Sequence, residues 1–297
     1  MNITGKKIKE FFVPKKIILK ILRRLKRNVA GFTKAATTKY YDSYDDALKD
    51  CPTQKAYENK ELCFMIGDKT KNFIKTFENK PYILNATNIF LIGAIQNYFL
   101  NYSTNKITIL DFGGACGLHY YETRRYIPKN YNIKWFVAET EEMVDAANKH
   151  GLENEELKFI NNIENENNAI DLVYSSCALQ YVPNWKEYLN KLIEKNAKYM
   201  LFNRMMFNEN DKTFITLQMS DLSGNGPGPM PEKYEDKNIF YPHTTISYKE
   251  FNKIIMQNGY NMEWCFEEQS GSRMINNEKI IGRGMLYKKG MYGTSAN

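Results

Sequence analysis

The chain has five cysteines, Cys51, Cys63, Cys116, Cys177 and Cys265, and no Cys-x-x-Cys pair. An odd number at irregular spacing argues against a disulfide framework and against a zinc site. Such usage fits a reducing cytoplasm. No apolar run reaches the roughly 18 residues that cross a bilayer. Basic residues interrupt the N-terminal apolar stretch, so no signal peptide is expected. Internal repeats are absent. Beyond the N-terminus no basic groove interleaved with aromatics is visible, which argues against nucleic acid as a partner. Asp171 and Asp221 are too far apart in sequence to argue for a metal site. What is present is ample core material: 43% hydrophobic and 14% aromatic residues in 297. That length holds one large domain and an accessory segment.

The net charge of +7 is unevenly spread, because residues 1–39 carry +11 and the other 258 carry −4. Ile17, Ile18, Ile21, Leu22, Leu25 and Val29 recur at helical spacing, with Lys16, Lys20, Arg23, Arg24 and Arg27 opposite. Residues 6–29 therefore read as a basic amphipathic helix. It can lie on an anionic membrane face, pack on its own domain, or pair two subunits as a homodimer.

Residues 107–117, Ile-Thr-Ile-Leu-Asp-Phe-Gly-Gly-Ala-Cys-Gly, read as a strand ending in an acid and a glycine-rich turn. Leu118–Ile127 then has helical composition. Strand, tight turn and helix open a nucleotide-binding α/β unit. Gly113 and Gly117 are four apart, so the dinucleotide spacing fails, and no Gly-Lys-Ser/Thr phosphate loop is present. The spacing instead resembles the first motif of S-adenosylmethionine methyltransferases.

The surroundings extend this pattern. Lys134–Glu139 reads as a second strand ending in a carboxylate, where a Rossmann-type site needs an acid for the ribose hydroxyls. Helix 141–150 stops at Gly151. Leu157–Ile160, Ile170–Tyr174 and Tyr199–Phe202 read as further strands, with a helix over Trp185–Asn196. A helix over Ser247–Asn258 precedes two strands, Asn261–Glu267 and Lys279–Tyr287, joined by Gln-Ser-Gly-Ser. The expectation is a Rossmann-like α/β fold: a seven-stranded, mainly parallel sheet with a closing antiparallel hairpin. Residues 40–105 form a mostly helical extension, with Ile89–Tyr102 against the sheet edge. Residues 106–290 form the cofactor domain, with a loop insertion at about 204–246, and 291–297 a tail.

Leu110-Asp-Phe-Gly-Gly-Ala-Cys-Gly117, Ser175-Ser-Cys-Ala-Leu-Gln-Tyr181, Asn203-Arg204 and Thr216-Leu-Gln218 together resemble a methyltransferase family found in bacterial capsule and O-antigen gene clusters. Tyr40–Ala47 resembles its N-terminal part, and the resemblance spans roughly residues 40–290. The Ala115-Cys116 pair and Ser176-Cys177 depart from the family's pattern. The resemblance implies methyl transfer, and its gene context implies a sugar, nucleotide-sugar or phosphorylated precursor as acceptor.

On this reading Asp111, Phe112, Gly113, Gly114, Ala115, Gly117, Glu139, Ser175 and Ser176 bind the cofactor. Parallel α/β sheets bind ligands at the carboxyl ends of their strands, so His119, Gln180, Tyr181, Arg204 and His243 are the catalytic candidates. His243 is the first choice as general base for a hydroxyl acceptor. Tyr181 orients the acceptor or simply packs. Arg204, at a strand end, either pairs with an acidic or phosphorylated acceptor or makes a structural salt bridge. Ser223–Pro231, rich in glycine and proline, is a loop, either a lid or an inert insertion. Methyl transfer to nitrogen and a non-catalytic scaffold are the rival functions.

Overall fold

The computed structural model describes residues 39–52, 56–77, 84–166 and 168–290. The basic helix expected over 6–29 and the tail lie outside them. Helices are α1 (Tyr44–Lys49), α2 (Lys60–Thr76), α3 (Ala86–Tyr102), α4 (Leu118–Arg124), α5 (Glu141–Lys149), α6 (Trp185–Glu194) and α7 (Tyr248–Gln257). Strands are β1 (Lys106–Phe112), β2 (Asn132–Ala138), β3 (Leu157–Ile160), β4 (Leu172–Ser176), β5 (Tyr199–Asn208), β6 (Phe214–Asp221), β7 (Asn238–Ser247), β8 (Tyr260–Ile275) and β9 (Glu278–Lys289).

Strands β3-β2-β1-β4-β5 are parallel neighbours. Strand β9 runs antiparallel to β5 and pairs in turn with β8. The core order is therefore β3-β2-β1-β4-β5-β9-β8. The period-two alternation of each strand divides its side chains between two cores. One face, with Ile109, Trp135, Tyr174, Tyr199 and Leu201, packs on α2, α3, α4 and α5. The other, with Leu110, Val173, Met200 and Phe202, packs on α6 and α7. Helix starts are capped locally: Asn85, Thr140, Asn184 and Ser247 each accept a first-turn N–H.

Among the described residues nine strands replace the seven expected. The extra two, β6 and β7, form a hairpin within the segment read as a loop insertion, joined to β5 through Phe207↔Ile246 and Asn208↔Ser247. Pro242 concealed this strand. It is tolerated because β5 pairs only with the last residues of β7, leaving the Pro242 edge without a partner that needs an N–H. Two further boundaries differ. Gln269–Ser272 belongs to β8, at a register shift, and the chain reverses at Asn276-Asn277, both left-handed. Helix α3 lies across β1 and β5 rather than on the sheet edge, burying Leu91, Ala94, Ile95, Tyr98 and Phe99. Its Tyr98 hydroxyl donates to Asp171 at 2.7 Å, and Lys198 joins them at 3.0 Å.

The glycine-proline segment is fastened to α2. The buried Lys69 ammonium donates to the carbonyls of Ser223 and Asn225, and Tyr234 donates to Asp68 at 2.7 Å. Helix α2 and the hairpin's connecting loop are thus linked by polar contacts.

Candidate active site

The turn after β1 is shaped by its own protein contacts. Gly113, Ala115 and Gly117 have φ of 73°, 48° and 77°. A Cβ on Gly113 would lie 2.2 Å from that of Ala178, and one on Gly114 would lie 2.4 Å from the Asp111 carboxylate. Only glycine fits either place. Asp111 is fully buried and its oxygens are already engaged. His119 Nδ1 lies 3.0 Å from Oδ2, and Trp135 Nε1 donates to the same oxygen at 3.3 Å. Asp111 therefore holds the His119 and Trp135 rings beneath the turn.

Glu139, one residue past β2, accepts the N–H of Ala115 at 2.9 Å and that of Thr140 at 3.0 Å. Burial raises its pKa, against the pull of those two N–H groups. Each carboxylate oxygen keeps a second lone pair, so a diol can still donate to it.

Alternation separates several predicted neighbours. Ser176 shares a face with Tyr174 and Asn203, on the α3 side. Ser175 aligns with Phe112 and Phe202 in the opposite core, and Phe112 packs on Tyr188. The side chains of Phe112 and Ser175 thus point away from the site, which they border only with backbone. On the α3 side, Tyr174 Oη, Ser176 Oγ and Asn203 Oδ1 are buried within polar reach of one another, yet none makes a well-formed hydrogen bond among the described residues. Orphaned buried polar atoms of this kind call for a partner. They border the His119 ring, which meets Tyr174 edge-on at 5.1 Å. Burial disfavours charge on His119, but the Asp111 carboxylate outweighs it and raises the pKa.

Beyond β4, Cys177 is left-handed at φ 65°. Gln180 donates from Nε2 to Cys177 Sγ at 2.9 Å and accepts the Met206 N–H at 2.9 Å. Buried and committed at both ends, Gln180 ties β4 to β5 and is not placed to orient an acceptor. The Tyr181 hydroxyl donates to Gln218 at 3.2 Å, and its ring meets Tyr57, Tyr241 and His243 at 5.7, 5.3 and 5.2 Å. Burial keeps the three tyrosine hydroxyls protonated.

His243 sits within β7, opposite Thr216, not in a loop before a helix. It is 1% exposed, and neither ring nitrogen has a partner among the described residues. Burial, with Arg273 adding to it, lowers its pKa to about 3. Arg204 sits at a break in β5, its amide N–H donating to Glu268 at 2.7 Å. His150, at the end of α5, is held by the Ala146 carbonyl and Asp68.

Tyr57, Tyr241, Gln218 and Glu268 were not foreseen as site residues. Tyr241 precedes His243 by two, the strand period, a signal visible only if 238–247 is read as a strand. No group of metal-ligating side chains occurs among the described residues.

No family model and no curated protein matches the sequence. Solved structures do resemble it. A S-adenosylmethionine-dependent methyltransferase from Clostridium acetobutylicum is 12% identical, covers 70% of this chain and 93% of its own, and has a TM-score of 0.44. One from Methanosarcina mazei is 14% identical, covers 67% and 97%, and scores 0.43. Human N-acetylserotonin methyltransferase, crystallised with S-adenosylmethionine, is 13% identical, covers 84% and 66%, and scores 0.43. The strand order, with antiparallel β9 between β5 and β8, is the mainly parallel α/β sheet with a closing antiparallel hairpin that the sequence predicts. Among the described residues no helix is long and apolar enough to cross a membrane.

Proposed function

We propose that the protein is a S-adenosylmethionine-dependent methyltransferase acting on a hydroxyl of a small acceptor. The observation that carries this is the pairing of the left-handed turn after β1 with Glu139 at the end of β2, on a sheet of this order. Ligands of parallel sheets lie at those strand ends. The residues fit the cofactor. Glu139 has lone pairs left for the ribose, and the clustered Tyr174, Ser176 and Asn203 atoms, whose only polar neighbours are one another, have capacity for a polar partner. When bound, the cofactor supplies an electrophilic methyl on a sulfonium. The chain must hold the acceptor oxygen in line about 3 Å from that carbon and exclude water.

A hydroxyl also needs a base. His119 suits this better than His243. Asp111 fixes one ring nitrogen and raises the ring's proton affinity, while His243 is a weak base in an apolar enclosure. Tyr181, with Gln218 beside its hydroxyl, lies where an acceptor ring would pack. A sugar or activated precursor of a surface polysaccharide is the acceptor implied by the sequence resemblance. The membrane or dimer role of residues 6–29 rests on their charge pattern.

Calorimetric titration with S-adenosylmethionine and S-adenosylhomocysteine tests the reading. Micromolar binding that Glu139→Gln weakens supports it. Binding of neither ligand refutes it in favour of a scaffold.

A further inference from the structure

Arg204 is where β5 breaks its alternation. Its φ of 57° is left-handed, and the register with β9 shifts between Phe202 and Met205. A bulge of this kind re-aims one side chain, and bulges cluster beside active sites. The Glu268 carboxylate takes the Arg204 amide N–H. The guanidinium itself makes no hydrogen bond and no ion pair among the described residues. The residue is exposed overall, while burial partly desolvates the guanidinium itself. Five N–H donors in a planar fork, permanently charged, are therefore free. The structural salt bridge that the sequence left open is not made.

Its surroundings define its place. Arg204 follows Asn203, which pairs with Ser176 of β4 and whose carbonyl accepts the Cys177 N–H at 2.9 Å, so the residue stands beside the carboxyl end of β4. The guanidinium there lies within electrostatic reach of Cys177, Glu268, Tyr174 and Tyr181, and of His119. Tyr174 and His119 belong to the cofactor side, whereas Cys177 and Tyr181 belong to the hairpin side. A second guanidinium, Arg273 of β8, acts on His243 beyond Tyr181. The Glu268 carboxylate, which accepts the Arg204 N–H, partly offsets this positive field.

We propose that the methyl acceptor carries an oxyanion, phosphate or carboxylate, and that the Arg204 guanidinium binds it between the cofactor site and the Tyr181 cluster. This rests on the methyl-transfer reading. It narrows the acceptor to an acidic or phosphorylated molecule, held in a bidentate fork that aligns its hydroxyl.

The test is calorimetric titration of the full chain with inorganic pyrophosphate and, separately, malonate, each with and without S-adenosylhomocysteine. Wild type is compared with Arg204→Asn, which tolerates the left-handed backbone, and with Arg204→Lys. The expected result is binding of at least one anion, weakened about tenfold or more in R204N and partly restored in R204K, as for a charge without the fork. S-adenosylhomocysteine affinity stays unchanged in both variants. Which of the two anions binds tells phosphate from carboxylate. Failure of wild type to bind either anion, or equal binding by R204N, overturns the proposal. So does loss of S-adenosylhomocysteine affinity in R204N, which would assign the guanidinium to the cofactor's own carboxylate. Failure of wild type to bind S-adenosylhomocysteine overturns methyl transfer instead, and the titrations without it still judge Arg204.

Discussion

Glu139 Oε1 accepts the N–H of Ala115 at 2.9 Å, so the carboxylate that ends β2 also caps the turn that follows β1. One side chain thus serves both the fold and the expected ribose contact.

Substitutions at Glu139 should separate these duties. Glu139→Ala orphans two buried N–H groups and should cost about 1–3 kcal/mol of stability as well as cofactor binding. Glu139→Gln keeps an acceptor for one of them. It should melt close to wild type yet bind S-adenosylmethionine roughly 10–100-fold more weakly. Thermal melts and calorimetry on both variants check this, and equal binding by Gln and wild type would remove Glu139 from the ribose site.

His119 should govern the pH dependence of turnover. Its pKa is raised above 6.5 by Asp111, so kcat/KM should rise with pH through a value above 6.5. His119→Asn should abolish that limb and slow methyl transfer by about 10²–10⁴-fold. A retained limb would acquit His119.

His243 should reveal itself in acid stability. Its folded pKa, about 3, lies below its unfolded value of 6.5. The unfolded chain therefore binds the proton first. Stability linked to His243 is complete above pH 6.5 and is lost as pH falls from there towards 3, by up to about 1.4 kcal/mol per unit. Urea midpoints of wild type and His243→Gln, measured from pH 7 down to 4.5, should converge as pH falls. Parallel curves would mean that the ring is solvated.

Gly113→Ala should be destabilising by about 2–4 kcal/mol, from contact with Ala178 and a left-handed φ. Adding Ala178→Gly should recover only the steric part. Full recovery of the melting temperature would show that the backbone relaxes at no cost.

Lys69→Met should loosen the Ser223–Asn225 segment from α2, since two carbonyls lose their donor. Faster proteolytic nicking near residue 225, at a near-normal melting temperature, is the expected signature.

The β1 turn, β2, β3, α5 and α6 were legible in the sequence because their signals are local. Apolar alternation, a cap such as Thr140 and a stop such as Gly151 act within a few residues. The same local chemistry placed Glu139 and Asp111 at strand ends. What it did not carry was pairing between distant segments. Pro242 reads as a loop residue until the partner of β7 is known, and a break in β5 at Arg204 has no mark in composition. Ser175 and Ser176 are adjacent in sequence, yet the pleat sends one to each core. The sequence by itself determined the strand-turn-helix unit and the acids that end its strands. Only the tertiary structure decided that Asp111 serves His119, that Gln180 is spent on the Cys177 thiol and the Met206 N–H, that His243 is enclosed and that the Arg204 guanidinium makes no ion pair among the described residues. Each of these depends on which neighbours the folded chain sets around a polar group, and no local periodicity records that.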